Sequence, residues 1–191
     1  LIMDIYDTPK RDRELTAFAE QIAINQVDVH TSCSQFLADE VAAKLGVKAP
    51  IQVIANGIDV EMFDTDDGID VHETFGLPKD QDALTIFFAN RLEERKGVHL
   101  VKEMALHVLE KYPHVHFAIA GADLFGYMER EIQPFINQNK LTKRFHYLDK
   151  LDLPHVRACL KAADIFLIPS LWENCPYSCI EAMTAGRAIV A

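Results

Sequence analysis

Along residues 83–191 the apolar and polar positions alternate in blocks rather than one by one. Apolar runs at 84–89, 115–120, 145–148, 165–168 and 188–191 are separated by amphipathic stretches at about 97–111, 126–139, 152–163 and 176–185. Runs with little internal alternation suit strands buried on both faces, and the helical stretches between them suit parallel crossovers. The pattern predicts five parallel strands, each but the last followed by a helix: an α/β fold with a doubly wound, Rossmann-like layer. Ligands of such sheets sit at the carboxyl ends of the strands, beside helix N-termini. Chemistry is therefore sought in the loops after Ala89, Ala120, Leu148 and Ile168.

Upstream the rhythm is weaker. Residues 11–29 predict a helix with Leu15, Phe18, Ala19, Ile22 and Ala23 on one face, followed by the short strand-like VDVHTS. A second helix is expected from about Ser34 to Leu45, closed by Gly46. Residues 50–59 read as a strand ending in an Asn56-Gly57 turn, and the acidic, turn-rich stretch 60–82 reads as a connector. Three segments result: 1–49, a hinge or connector over 50–82, and the layer over 83–191.

Composition narrows the function. With 19 basic against 29 acidic residues the chain carries a formal charge of -10, which disfavours binding to nucleic acid or to anionic lipid. The four cysteines (Cys33, Cys159, Cys175 and Cys179) form no CxxC pair and predict reduced thiols in a cytoplasmic protein. No two-histidine or HExxH pattern occurs, so no metal site is expected. No apolar run approaches the length of a membrane span, and no signal-peptide pattern opens the chain at Leu1.

The loop after the first strand of the layer reads Asn90-Arg91-Leu92-Glu93-Glu94-Arg95-Lys96-Gly97 and opens a helix. Arg95 and Lys96 at a helix N-terminus oppose its partial positive charge unless an anion sits there. Arg91 and Lys96 would grip such an anion from two sides. The alternative is that Glu93 and Glu94 already supply the negative charge in a solvated loop. After the second strand, Gly121 allows close backbone approach, either to a ligand or to the turn itself. Neither GxGxxG nor GxxxxGK[ST] is present, which removes the main support for hydride transfer and nucleotide hydrolysis.

The turn after Ile168 is richer. Pro176 suits a first helical position, leaving the N–H groups of Tyr177 and Ser178 free at a helix N-terminus able to hold phosphate. Glu173 precedes that helix, and Glu181 lies roughly 7–8 Å along its axis at the usual rise per residue. Both acids could accept hydroxyl hydrogens on either side of a phosphate; alternatively, Glu181 is a solvated helix position. Trp172 either lines a sugar pocket or plugs the turn.

The spacing Arg91-Leu92…Lys96-Gly97, Asp164…Pro169-Ser170…Glu173-x7-Glu181-Ala182-Met183…Gly186 resembles the group-1 retaining glycosyltransferases, whose GT-B fold faces two Rossmann-like domains across a cleft. It looks most like bacterial members that build exopolysaccharides or related surface glycans. The resemblance implies transfer of a sugar from a nucleotide-diphosphate sugar to a hydroxyl acceptor, with no cofactor or metal and no firmly assigned protein nucleophile. Arg91 and Lys96 then match the pair binding the donor diphosphate, and Glu173 matches the acid on the transferred sugar; these three are the expected catalytic residues. Asn174, Cys175, Tyr177 and Ser178 match the loop contacting sugar and phosphate, and Glu181 matches the acid on the ribose. Gly121, Leu148, Asp149 and Lys150 complete the expected donor-binding set. Two departures stand out: Asn174-Cys175-Pro176-Tyr177 replaces glycine-rich residues, and Tyr147-Leu148-Asp149 replaces Phe-Leu-Gly.

On this resemblance, residues 83–191 are an incomplete donor domain, and residues 1–49 are a remnant of the acceptor domain. A glycan or lipid-linked acceptor would bind the absent part, with peripheral membrane association of the full enzyme at the inner face. The 191-residue chain alone is expected to bind nucleotide without transferring sugar. The rivals are a non-catalytic sugar-nucleotide-binding module, a sugar-nucleotide epimerase of the same architecture, and an α/β domain without a ligand.

Overall fold

The computed structural model describes residues 10–191; the expected absence of a signal peptide concerns a segment that lies mostly outside them. The chain divides into two compact units, one ending at Gly57 and the other spanning Ile58–Ala191. The first holds α1 (Lys10–Asn25), β1 (His30–Ser32), α2 (Gln35–Leu45) and β2 (Ile51–Val53), with β1 and β2 parallel. Helix α2 follows its sequence signals closely. The Ser34 hydroxyl accepts the Leu37 N–H at 3.1 Å, and Gly46 closes the helix in the left-handed region at φ 66°. The apolar positions Leu15, Phe18 and Ile22 of α1 are exposed.

The second unit begins with the stretch read as a connector, which folds instead as two short helices, α3 (Val60–Asp64) and α4 (Val71–Phe75). Its acidity has a local use. Asp59 accepts the Met62 N–H at 2.9 Å, and Asp70 accepts those of His72 and Glu73 at 2.8 and 3.1 Å, so both acids are N-caps. Helices of five residues are too short to show a period, which is why the pattern looked irregular. Phe63 and Leu77 from this stretch are fully buried in the core of the unit. Asp67 takes a two-pronged ion pair from the buried Arg157 at 2.6 and 2.9 Å.

The layer follows: β3 (Leu84–Ala89), α5 (Val98–Lys111), β4 (Val115–Ala120), α6 (Gln133–Gln138), β5 (Phe145–Tyr147), α7 (Leu153–Ala162), β6 (Ile165–Leu167), α8 (Tyr177–Thr184) and β7 (Ala188–Val190). All five strands are parallel, in the order β5-β4-β3-β6-β7. A π-helical segment, Met128–Ile132, leads into α6, where Pro134 has no N–H to continue the α-helical ladder. Neighbouring strand residues serve opposite cores. Phe88, Phe117, Ile119 and Phe145 pack with Val98, Val101 and Ile136 of α5 and α6. Phe87, Ala118 and Phe166 pack with Leu160 and Ala182 of α7 and α8. Burial on both faces explains the unbroken apolar runs. Asp164 fixes the central pairing, its carboxylate accepting the Thr85 N–H at 2.7 Å while its own N–H donates to the Thr85 carbonyl at 3.0 Å. The chain crosses left from β3 to β4 and β5, then returns to the right as β6 and β7. The ends of β3 and β6 therefore form the topological switch point.

Candidate functional site

Two loops meet at that switch point. The β3 loop stays tied to its neighbour: the N–H groups of Asn90 and Leu92 donate to the Ala120 and Ala122 carbonyls, both at 3.0 Å. It then forms one 3-10 turn, Glu94–Lys96, and Gly97 turns the chain into α5 at φ 75°. A side chain at Gly97 would place Cβ 1.9 Å from the Pro169 carbonyl oxygen, so only glycine lets the two loops approach. The Leu171 N–H donates to the Arg95 carbonyl at 2.9 Å and completes a backbone bridge between them.

Charged side chains gather at this bridge. One oxygen of Glu173 accepts from the Lys96 ammonium and, at 2.8 Å, from the Ser170 hydroxyl; Arg95 stands 3.8 Å from the other. The Glu93 carboxylate pairs with Arg95 at 3.1 Å and with Arg91 at 3.3 Å. Lys96, Glu93 and Arg95 are largely buried, at 9%, 9% and 13% side-chain exposure, whereas Arg91 is 55% exposed. Three cations face two carboxylates, leaving one positive charge. Glu93 thus balances part of the cluster, but in a buried network rather than a solvated loop, and Glu94 is exposed.

Helix α8 adds backbone donors. Pro176 is its N-cap, with extended backbone at ψ 126°, so the helix starts at Tyr177, one position later than expected. The N–H groups of Tyr177 and Ser178 fall in the first turn, where no intrahelical acceptor exists. Glu181 is half-buried, and desolvation raises its carboxyl above the usual range, unlike an acid on a solvated face. Beside Glu173, the Asn174 Oδ1 atom is buried without a hydrogen-bond partner, as is His99 Nδ1 in the first turn of α5. Cys175 is half-buried.

The remaining expected residues lie one and two strands away. At Gly121 the close approach is made by the chain itself: a Cβ would fall 1.7 Å from the Asn90 carbonyl oxygen. The Gly121 N–H donates to the Asp149 carbonyl at 2.9 Å, and its carbonyl accepts the Tyr147 hydroxyl at 3.2 Å. Leu148 is buried and bonded to Ile119, while Asp149 and Lys150 are exposed, Asp149 at φ 57°. The structure therefore joins Arg91, Lys96 and Glu173 in one network and stitches Gly121 to Asp149 beside it. Sequence reasoning assigned Ser170 no contact, and it weighed Glu93 and Arg95 only as local charges, not as a bridge to the second loop.

All four cysteines are free of disulfides, and burial pushes the Cys159 thiol up to about 12. Among the described residues no group of three or more His, Cys, Asp or Glu side chains is placed to hold a metal, and no helix is long and apolar enough to cross a membrane.

Fold and geometry together define a doubly wound α/β domain whose switch point carries a buried, cation-rich cluster beside helix N-termini. The chain belongs to the glycosyl transferases group 1 family, which residues 72–191 match; residues 4–62 match Glycosyltransferase Family 4. It is 32% identical over 142 residues to the UDP-Gal:alpha-D-GlcNAc-diphosphoundecaprenol alpha-1,3-galactosyltransferase of Escherichia coli, covering 71% of this chain and 35% of that protein. Over 185 residues it is 27% identical to the alpha-maltose-1-phosphate synthase of Mycolicibacterium smegmatis, covering 93% of this chain and 47% of that protein. Anabaena HepE, solved in complex with UDP, superposes with a TM-score of 0.75 at 21% identity, covering 92% of this chain and 49% of that one. The catalytic domain of starch synthase IV from Arabidopsis thaliana, bound to ADP and acarbose, gives 0.73 at 23% identity, covering 88% and 40%. These structural likenesses establish the GT-B fold. The chain spans about half or less of the length of the curated relatives it matches.

Proposed function

We propose that this chain carries the donor-binding part of a retaining glycosyltransferase that moves a sugar from a nucleotide-diphosphate sugar to a hydroxyl acceptor. The observation that carries the reading is the buried Lys96–Glu173 pair at the switch point, with Arg91 exposed beside it, in a chain of this family. In this reading Arg91 and Lys96 meet the charge that develops on the departing diphosphate, helped by the free N–H groups of Tyr177 and Ser178. Such stabilisation is usually the largest single term in catalysis. Glu173 accepts hydroxyl hydrogens of the sugar, with Asn174 and Cys175 lining the same turn. Glu181, whose raised carboxyl reflects burial, accepts those of the ribose. Gly121, Leu148, Asp149 and Lys150 border the base. In this reading the cationic side chains of Arg91 and Lys96 meet the diphosphate, and no metal is assigned a role.

UDP is the first donor nucleotide to test, since it is named for the E. coli relative's substrate and for the ligand of HepE. The acceptor is assigned as a glycan or lipid-linked sugar of a bacterial surface polymer, handled by the remainder of the enzyme. We place the enzyme's work in the cytoplasm, at the inner face of the membrane, a compartment suited to four cysteines that form no disulfide. A thermal-shift panel of UDP, GDP, ADP and their sugars tests the reading, because a ligand of the folded state raises apparent stability by mass action. One nucleotide and its sugar should raise the melting temperature. A chain that responds to none of them is not a donor domain.

A further inference from the structure

One buried side chain with no role in the chemistry above connects the two loops of the site. Arg95 donates from Nη2 to Glu93 at 3.1 Å and from Nη1 to the Trp172 carbonyl at 3.4 Å, and Nη1 also stands 3.8 Å from Glu173 Oε2. Its carbonyl takes the Leu171 N–H at 2.9 Å. We propose that Arg95, anchored by Glu93, is a positioning residue that holds the Trp172–Glu173 turn in register for the sugar end of the donor.

The need for such a holder follows from the local structure. Residues 168–176 form neither helix nor strand, so no ladder of hydrogen bonds fixes Glu173. Its oxygen Oε1 is held by Ser170 and Lys96, but Lys96 is also the cation assigned to the diphosphate. When Lys96 turns to a phosphate, Glu173 loses its principal counter-charge. Arg95, on the Oε2 side, remains, and its planar fork serves a carboxylate and a carbonyl at once, which an ammonium does not. Glu93 keeps that fork in place from behind, with only 9% of its own side chain exposed.

The chain contains one tryptophan, Trp172, which reports on this turn directly. The experiment measures acrylamide quenching and emission of Trp172 in the full 191-residue chain, in wild type, Arg95→Met and Glu93→Gln, with far-UV circular dichroism alongside. UDP and UDP-glucose are then titrated into each. Expected are unchanged secondary structure, a Trp172 that is more quenchable and red-shifted in Arg95→Met, and a smaller change of the same sign in Glu93→Gln. In Arg95→Met, UDP-glucose affinity should fall roughly tenfold, the scale of one lost charge-assisted contact, while UDP affinity stays within about twofold. Should Arg95→Met fail to fold, Glu93→Gln carries the fluorescence test, since Glu93 also pairs with Arg91 and its ligand affinities report on both. Wild-type quenching in both variants, or equal weakening of UDP and UDP-glucose, overturns the positioning role. The ligand arm rests on the donor-site reading, whereas the fluorescence arm does not. A wild-type chain that binds neither ligand counts against that reading while Trp172 still decides the role of Arg95.

Discussion

Lys96 and Glu173 lie 77 residues apart in the chain, yet they share a hydrogen bond because Gly97 lets one loop reach the backbone of the other. Gly97→Ala tests that contact. Its Cβ would collide with backbone rather than a flexible side chain, at a positive φ, so a loss of more than about 2 kcal/mol is expected in urea unfolding. A loss below a few tenths would mean that the loops are not in contact. Replacing Lys96 or Arg91 by Ala in the full-length enzyme should remove about 2–4 kcal/mol of transition-state stabilisation each, read as kcat/KM. Glu181→Ala should weaken nucleotide binding in calorimetry, and an unchanged affinity would return Glu181 to a purely local role. At this scale residue type, spacing and the family resemblance drew attention to Arg91, Lys96 and Glu173, which the structure brings into one charge network. The bridging by Arg95 was not legible, because a cation at a helix start reads in sequence as a local charge and not as a contact with a loop 77 residues on.

Strands and helices of the layer were legible for a different reason. Burial on both faces forces apolar runs at 84–89 and 115–120, and each run became a strand with the expected bounds. Helices α3 and α4 were not, since five residues leave no period to read and their aspartates read as turn formers. The β4–β5 pair carries its own prediction. His116 and His146 stack with centroids 5.4 Å apart and share a 3.1 Å contact between Nδ1 and Nε2. Burial, and then the neighbouring His116, pushes His146 down from 6.5 to about 4; burial and Arg144 lower His116 as well. A lowered folded value means the unfolded chain binds protons first as pH falls, so this contribution to stability is full above about pH 6.5 and lost toward pH 4. Glu181, whose carboxyl is raised, acts in the opposite sense, so the comparison must be made within the pair. His146→Gln should flatten the fall in melting temperature between pH 7 and pH 4.5. A slope identical to wild type would show that the pair does not titrate with folding.

For the whole molecule, strand order turns local features into a site. Because β3 and β6 are neighbours at the point where the winding reverses, the loops following them meet where ligands of such sheets bind. Both loops lie within the residues that match the glycosyl transferases group 1 family, and the chain spans about half or less of its curated relatives; on the proposed function, its own part is donor binding. The most direct measurement is calorimetric titration of UDP and UDP-glucose into the wild-type chain and into Lys96→Ala. The account predicts saturable one-to-one binding to wild type and, in Lys96→Ala, a loss of roughly tenfold or more for both ligands, as expected when a cation leaves a phosphate site. Equal affinity in the two proteins, or no binding to either, would contradict it.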